Sequence, residues 1–508
     1  MIPPLLLDVQ PHHKVIDLCA APGSKTSQIL EALNVTEVKE GGLANWPSGL
    51  VIANDNDYKR CYLMIHQLNR IPSSTYMATS YDASQFPNLR VPGSNGRDEI
   101  IKFDRVLADV PCSGDGTMRK NPAIWTTWAN KSAIALHPLQ TRILYRGLQM
   151  LAVGGRLVYS TCSLNPLENE AVVAEALRMA GDAVQVIDVS KELSELIRRP
   201  GMQSWKIFDG NGEEMERDVR EENSKITISM FPPTEEEEAI KTQLARCIRV
   251  YPHLQDTGGF FIAVMEKKSP LGKKVDLPAA DAIASETNGH NESHSLKRSV
   301  NDTDPSESPV KKQKFEPPES TRNTRGQKPV AGNEEPFAFI PPSHPELALI
   351  RSFFNLSPHF PMTDLFVRNS TGEPLRAIYI ASPLVQTIIQ RNPALHLLNA
   401  GTRLFVRQPD TKGDAQCLWR IHSDGLALID AFLGSERVIG AKVDEVREIL
   451  KENAQFPLIK DLGERLRSKI SALGNGGFIL RVDPSTSEAT DMNVPFSLPM
   501  WKSPHAIK

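Results

Sequence analysis

Cys112, in Asp109-Val110-Pro111-Cys112-Ser113-Gly114, and Cys162, in Ser160-Thr161-Cys162-Ser163, each stand where an apolar run ends. A thiolate is the strongest common protein nucleophile, and two of them point to covalent catalysis in which the second thiol has its own task. For that chemistry the two must share a pocket. In an open α/β sheet the carboxyl ends of neighbouring strands face one crevice, so thiols separated by one helix would meet there. The alternative is two small buried hydrophobes, the commoner fate of a free cysteine.

The elements that must position them follow from the pattern. Strand-like runs alternate with helical patterns from residue 14 to about 190, the form of a parallel sheet covered on both faces. The runs lie at 14–19, 50–55, 74–80, 103–109, 155–161 and 183–189, and the clearest helical pattern runs from Ser132 to Ala152. Arg246 to Tyr251 and Gly259 to Met265 could add an antiparallel edge, after a Glu-rich segment at 211–241 that reads as an insertion.

The expected catalytic domain is 1–267. From 268 to 335 the chain is rich in Ser, Asn, Glu, Lys and Pro with almost no large apolar residue, which predicts a disordered linker. Apolar patterning resumes over 336–500, a second, separate α/β-type domain, followed by a tail at 501–508.

Composition narrows the class. The 508 residues suffice for two or three cores, and 40% hydrophobic with 23% charged content is near the globular average. Six cysteines form no Cys-x-x-Cys pair, so neither a zinc site nor a disulfide framework is indicated, and reduced intracellular thiols fit best. Runs of the roughly 18 apolar residues that a membrane span needs are missing. Neither metal nor membrane is therefore expected, and a monomer is the favoured state. A net charge of −3 gives no overall attraction to nucleic acid, so an RNA assignment must rest on motifs.

The turn after the first strand, Cys19-Ala20-Ala21-Pro22-Gly23-Ser24-Lys25, combines small residues with one glycine ahead of a helix, which lets backbone amides approach a ligand. It is neither a Gly-x-Gly-x-x-Gly fingerprint nor a P-loop. Asp55 closes strand two, where a carboxylate can accept both ribose hydroxyls, and Asp82 closes strand three and could bind a base. Each could equally cap the next helix. Lys25 opposes the helix dipole by about 0.3 to 1 kcal/mol, so something anionic or catalytic should compensate it. Arg60 reads as a solvated helix charge.

In this order, Asp17-Leu18-Cys19-Ala20-Ala21-Pro22-Gly23-Ser24-Lys25-Thr26, Ala108 to Thr117, Tyr159 to Glu170 and Thr257 to Val264 resemble the NOL/NOP/Sun family of RNA (cytosine-5)-methyltransferases. Gly114 to Trp125 and Val51 to Leu63 resemble its eukaryotic multisite tRNA branch, and the carboxyl-terminal part resembles that branch's PUA-like domain. The resemblance implies a Rossmann-like class I fold with S-adenosylmethionine held by Cys19 to Lys25, Asp55, Asp82 and Asp109. It implies Cys162 as nucleophile, Cys112 in product release, Asp109 on the pyrimidine edge, and Lys25 orienting the base. Sequence alone does not order the two thiols. The chemistry explains the need for one: cytosine C5 is a poor nucleophile until something adds at C6.

On the RNA side, Arg119, Lys120, Lys131, Arg142 and Arg146 could contact phosphates or form solvated helix faces. Trp125 and Trp128 stand at helical spacing, more often a sign of packing than of base stacking. Thr257-Gly258-Gly259-Phe260 could bring backbone close to an extruded base or simply start a bulged strand. Lys297-Arg298 and Lys311-Lys312-Gln313-Lys314 fit a bipartite nuclear import signal, and a nuclear or nucleolar site would suit precursor tRNA. Family members carry a substantial segment ahead of Met1-Ile2-Pro3-Pro4, so the chain is expected to be an incomplete gene model or a shortened form. The alternatives to a tRNA enzyme are an rRNA or uracil-directed enzyme of the same chemistry and a truncated noncatalytic RNA-binding form.

Overall fold

The computed structural model describes residues 1–34, 47–93, 95–217, 225–272, 335–409, 413–451, 457–483 and 495–507. The 297–314 basic motif and nearly all of the expected linker lie outside them.

Five parallel strands form the centre of one large sheet: β1 (Lys14–Asp17), β2 (Leu50–Asn54), β3 (Tyr76–Thr79), β4 (Phe103–Asp109) and β5 (Leu151–Thr161). They stand in the order β3-β2-β1-β4-β5, with the order reversing beside β1. All five residues of β2 are buried, as expected where helices cover both faces, and such strands read as continuous apolar runs. The covering helices include α1 (Ile2–Leu7), α2 (Ser24–Leu33), α3 (Tyr58–Leu68), α4 (Asn130–Met150) and α5 (Glu170–Ala180). Helix α2 buries Ile29, Leu30 and Leu33, an i, i+1, i+4 stripe, and each such side chain contributes about 1.5 to 3 kcal/mol of burial.

Beyond β5 the sheet turns antiparallel. Strand β6 (Val184–Val186) and strand β8 (Phe260–Lys267) pair antiparallel with each other, and β8 lies along β5, with Phe261 opposite Thr161. Strand β7 (Ile248–Val250) flanks β8 on its outer side. The run at 183–189, expected within a parallel sheet, thus joins as a short antiparallel strand. The expected antiparallel edge from the last two runs is present.

The carboxyl-terminal region builds a five-stranded antiparallel sheet from Phe337–Phe339 to Trp419–Ile421 and a three-stranded sheet from Val438–Ala441, Gly476–Val482 and Phe496–Lys502. Leu397–Ala400 extends the large sheet by pairing antiparallel with β3, and Thr402 Oγ1 exchanges hydrogen bonds with the Ser73 backbone at 2.9 and 3.0 Å. Tyr81 stacks on His396 at 4.8 Å between centroids. Backbone pairing across an edge strand leaves no mark in a hydrophobicity pattern, so composition could not reveal it.

Candidate active site

The carboxyl ends of β1, β4 and β5 deliver the predicted residues to one crevice. Asp109 ends β4 directly beside Ser160 of β5, whose hydroxyl donates to Asp109 Oδ1 at 2.7 Å. Lys25, in the first turn of α2, donates to Asp109 Oδ2 at 2.5 Å, with both side chains about one-fifth to one-quarter exposed. Asp109 is thus the anion that compensates a cation at a helix amino terminus. The same ammonium lies 5.5 Å from the centre of the Phe260 ring.

Cys112 Sγ and Cys162 Sγ stand 3.3 Å apart. The loops carrying them are joined by backbone: Gly116 N–H donates to Cys162 O at 2.9 Å, and Gly259 N–H donates to Gly116 O at 2.7 Å. A Cβ on Gly116 would stand 2.6 Å from Gly259 O and 2.7 Å from Cys162 O, which is why no side chain is tolerated there. The close approach made by Thr257 to Phe260 is therefore to the Cys112 loop.

Beneath both loops lies Glu168, fully buried, a residue that carried no signal beyond its place in the motif. It accepts from Ser113 N–H (2.8 Å), from Gln140 Nε2 (3.1 Å), and from the hydroxyls of Ser113 (2.5 Å) and Ser163 (2.8 Å). Arg249, also buried, forms a two-pronged pair with Glu170 and donates to Leu164 O at 2.9 Å, fixing the chain just past Cys162. A periodicity argument counts neither residue, because it registers apolar faces and not buried charges.

Electrostatics order the thiols. Hydrogen bonding from Cys112 draws the Cys162 thiol below its ordinary range, and the Lys25 charge adds to this against the opposing effects of burial and Asp109. Cys112 moves well upward, through its bond to Cys162, burial and the negative charge of Glu168. Cys19, Cys61, Cys247 and Cys417 are all shifted upward, chiefly by burial, so Cys162 is the one cysteine of the six poised to lose its proton.

The turn ahead of α2 fits S-adenosylmethionine. Gly23 stands at φ +102° as the helix N-cap, and the helix has no side-chain cap, leaving its first amides for an anionic group such as the cofactor's carboxylate. Below the turn Asp17 is buried, with Oδ2 held by Thr26 at 2.7 Å and Oδ1 without a hydrogen-bond partner. Burial pushes its carboxyl up to about 7. An orphaned acceptor in that position suits a cationic amine.

Asp55 braces the turn: Ala21 N–H donates to Oδ2 at 3.1 Å and Asp57 N–H to Oδ1 at 3.0 Å. The α3 cap is Asp57, not Asp55. Arg60, half exposed on α3 as expected of a solvated helix charge, also donates to Ala21 O at 2.6 Å and lies 3.4 Å from Asp55, which adds it to the turn's scaffold. Asp82 does cap a short helical turn, with Oδ1 accepting from both Ser84 N–H and its hydroxyl.

Around the mouth of the crevice the aromatic expectation fails. Trp125 is 71% exposed and Trp128 42%, so neither is core packing. Ile124, beside Trp125, borders the thiols: its Cδ1 and Cys162 Sγ lie 3.4 and 3.9 Å from a Cβ position on Gly114. Arg146 is committed to Phe86 O and Asn88, and Arg119 to Asp256 at 2.6 Å. Among the described residues no cluster of three or more His, Cys, Asp or Glu could hold a metal, and no helix is long and apolar enough to cross a membrane.

Sheet order and the uncapped α2 are those of a Rossmann-like methyltransferase fold, with two thiols at its strand ends. The family model described as 16S rRNA methyltransferase RsmB/F matches residues 4–266, and the NSUN2 Pre-PUA domain model matches residues 336–434. The chain belongs to this Sun/NOP family of S-adenosylmethionine-dependent RNA (cytosine-5)-methyltransferases. It is 40% identical to the multisite-specific tRNA:(cytosine-C(5))-methyltransferase trm4b of Schizosaccharomyces pombe, over 99% of this chain and 75% of that one. The multisite-specific tRNA:(cytosine-C(5))-methyltransferase of Saccharomyces cerevisiae is 38% identical, over 100% and 69%. The crystal structure of NSun6 from Pyrococcus horikoshii is 25% identical, with a TM-score of 0.35 over 53% of this chain and 52% of that one.

Proposed function

We propose that this enzyme methylates C5 of cytosine in tRNA, with Cys162 as nucleophile. The observation that carries the reading is the thiol pair at 3.3 Å, in which Cys162 is the member drawn toward its thiolate. Cys162 adds to C6 of the base, the C5=C6 double bond opens, and C5 becomes an enamine carbon able to attack an electrophile. Bound S-adenosylmethionine supplies that electrophile, a methyl group on a positively charged sulfur. Asp17, Asp55, Asp82 and the uncapped amides at the start of α2, within the Cys19 to Lys25 turn, would hold it.

Asp109 and Lys25 are fixed on each other at the crevice, ready to pair with the edge of the pyrimidine and steady the charge that develops on the ring. Once C5 carries the methyl group, its proton passes to solvent water, the electron pair of the C5–H bond re-forms C5=C6, and the C6–S bond breaks with its pair leaving on Cys162 as thiolate, restoring the aromatic ring. Cys112, which holds its proton beside the leaving sulfur, assists that release. Trp125 and Lys120, exposed at the rim, offer a stacking face and a phosphate contact to RNA.

The tRNA reading is supported by relatives whose likeness runs through the carboxyl-terminal region to 99% and 100% of this chain. The two basic clusters at 297–298 and 311–314 support a nuclear site for the reaction. Bisulfite sequencing of total tRNA and rRNA with and without this gene tests the function. Loss of 5-methylcytosine from tRNA is expected; loss confined to rRNA would replace the tRNA assignment. A fluorescent protein carrying residues 290–320 should enter the nucleus, and should stay outside when Lys311, Lys312 and Lys314 are changed to alanine.

A further inference from the structure

Glu168 makes more contacts than a loop brace requires. It has no exposed surface, and its four donors come from the residue after Cys112, the residue after Cys162, and helix α4. Gln140, one of those donors, also bonds Pro111 O at 2.8 Å, and Tyr159 donates to the Glu168 backbone carbonyl at 2.5 Å. Two of the donors to the carboxylate are hydroxyls, which can rotate. A neutral amide in the same place could accept from Ser113 N–H and Gln140 while turning its NH₂ toward the two serines, which can accept as well as donate. The fold therefore needs acceptors at this position, but not a charge. Burying an ionised carboxylate is costly even when its hydrogen bonds are satisfied, so the charge calls for a separate explanation.

We propose that Glu168 is a positioning residue that locks the two cysteine loops together and assigns the proton shared by their thiols to Cys112. The charged and titratable groups facing the pair divide in the required way. Lys25 favours charge on Cys162 while burial and Asp109 oppose it, and burial and Glu168 both oppose charge on Cys112. The carboxylate takes two hydrogen bonds from the residue next to Cys112 and one from the residue next to Cys162, so it disfavours a second negative charge chiefly on the Cys112 sulfur, and Cys112 keeps its proton and donates it across 3.3 Å to Cys162. For methyl transfer, which rests on the covalent reading above, the nucleophile is then always the thiol at the end of β5, and the residual proton always stands where product release needs it.

The proton assignment is measurable without RNA or cofactor. Wild type, Glu168→Gln and Glu168→Asp are treated with iodoacetamide across the neutral to mildly alkaline range, and alkylation of each cysteine is read by mass spectrometry. In the wild type Cys162 should react first. Glu168→Gln, folded by circular dichroism, should lower the ratio of Cys162 to Cys112 labelling about tenfold, as expected of a shift of about one pH unit. Glu168→Asp keeps the charge and should keep most of the ratio, whereas a purely structural role would make both variants alike. An unchanged ratio in Glu168→Gln, or Cys112 reacting first in the wild type, overturns the proposal. If labelling behaves as expected but the wild type methylates no RNA, the covalent reading fails and the proton assignment stands.

Discussion

The Cys112 and Cys162 loops differ little in local sequence. Each follows an apolar strand, puts a serine after its cysteine, and reaches the same crevice. Their surroundings separate them. The Cys162 side faces the ammonium of Lys25, and the Cys112 side faces a buried carboxylate that also holds both following serines. Two thiols of equal intrinsic chemistry are shifted in opposite directions, with Lys25 at a helix start favouring charge on one and Glu168 past the end of β5 opposing it on the other. Reactivity at a strand end is therefore a property of the crevice and not of the motif.

Deleting the thiols one at a time breaks the comparison most severely. Cys162→Ala should lower methyl transfer about a thousandfold or more in single-turnover assays, since no other cysteine is poised as a nucleophile. Cys112→Ala should still form the adduct, more slowly at neutral pH because Cys162 loses its hydrogen-bond donor, and should accumulate protein linked covalently to RNA, visible as a band of reduced mobility under denaturing conditions. Equal losses in both variants with no adduct in either would remove the division of labour.

Lys25→Met sharpens the comparison by subtracting the charge on one side alone. Lys25 holds the Cys162 thiol down, so its removal raises that thiol and moves the ascending limb of the pH–rate profile to higher pH. At neutral pH the rate should fall about tenfold, and raising the pH should recover much of it. A uniform loss at every pH would mean that Lys25 only orients the base.

The smallest expected effect lies outside the pair. Trp125→Ala should raise KM for tRNA about fivefold with little change in kcat, the scale of one lost stacking contact, and Trp125→Phe should restore it. A fall in kcat with KM unchanged would place Trp125 in shaping the crevice instead of gripping RNA.

Much of the fold was legible because parallel strands buried on both faces must be continuous apolar runs. The five central strands and the long helix before β5 lie within a few residues of their expected positions. The attachment of Leu397–Ala400 to β3 was not legible, since it is made by backbone hydrogen bonds between segments more than 300 residues apart. At the site, Lys25 announced its need for an anion, yet Asp55 and Asp82 looked alike. In the structure one braces the cofactor turn and the other caps a helical turn. Trp125 and Trp128 misled because their spacing describes a helix face without saying whether another element covers it.

By itself the sequence determined the strand ends, the small-residue turn and the presence of two thiols with an aspartate three residues ahead of one of them. These are local properties, set by side-chain type and by periodicities of two and 3.6. Only the tertiary structure decided that the thiols stand 3.3 Å apart, that Lys25 reaches Asp109, and that Glu168 lies beneath both loops. Those relations depend on Coulomb and hydrogen-bond terms that fall off over a few ångströms, so they exist only once distant segments have been packed together.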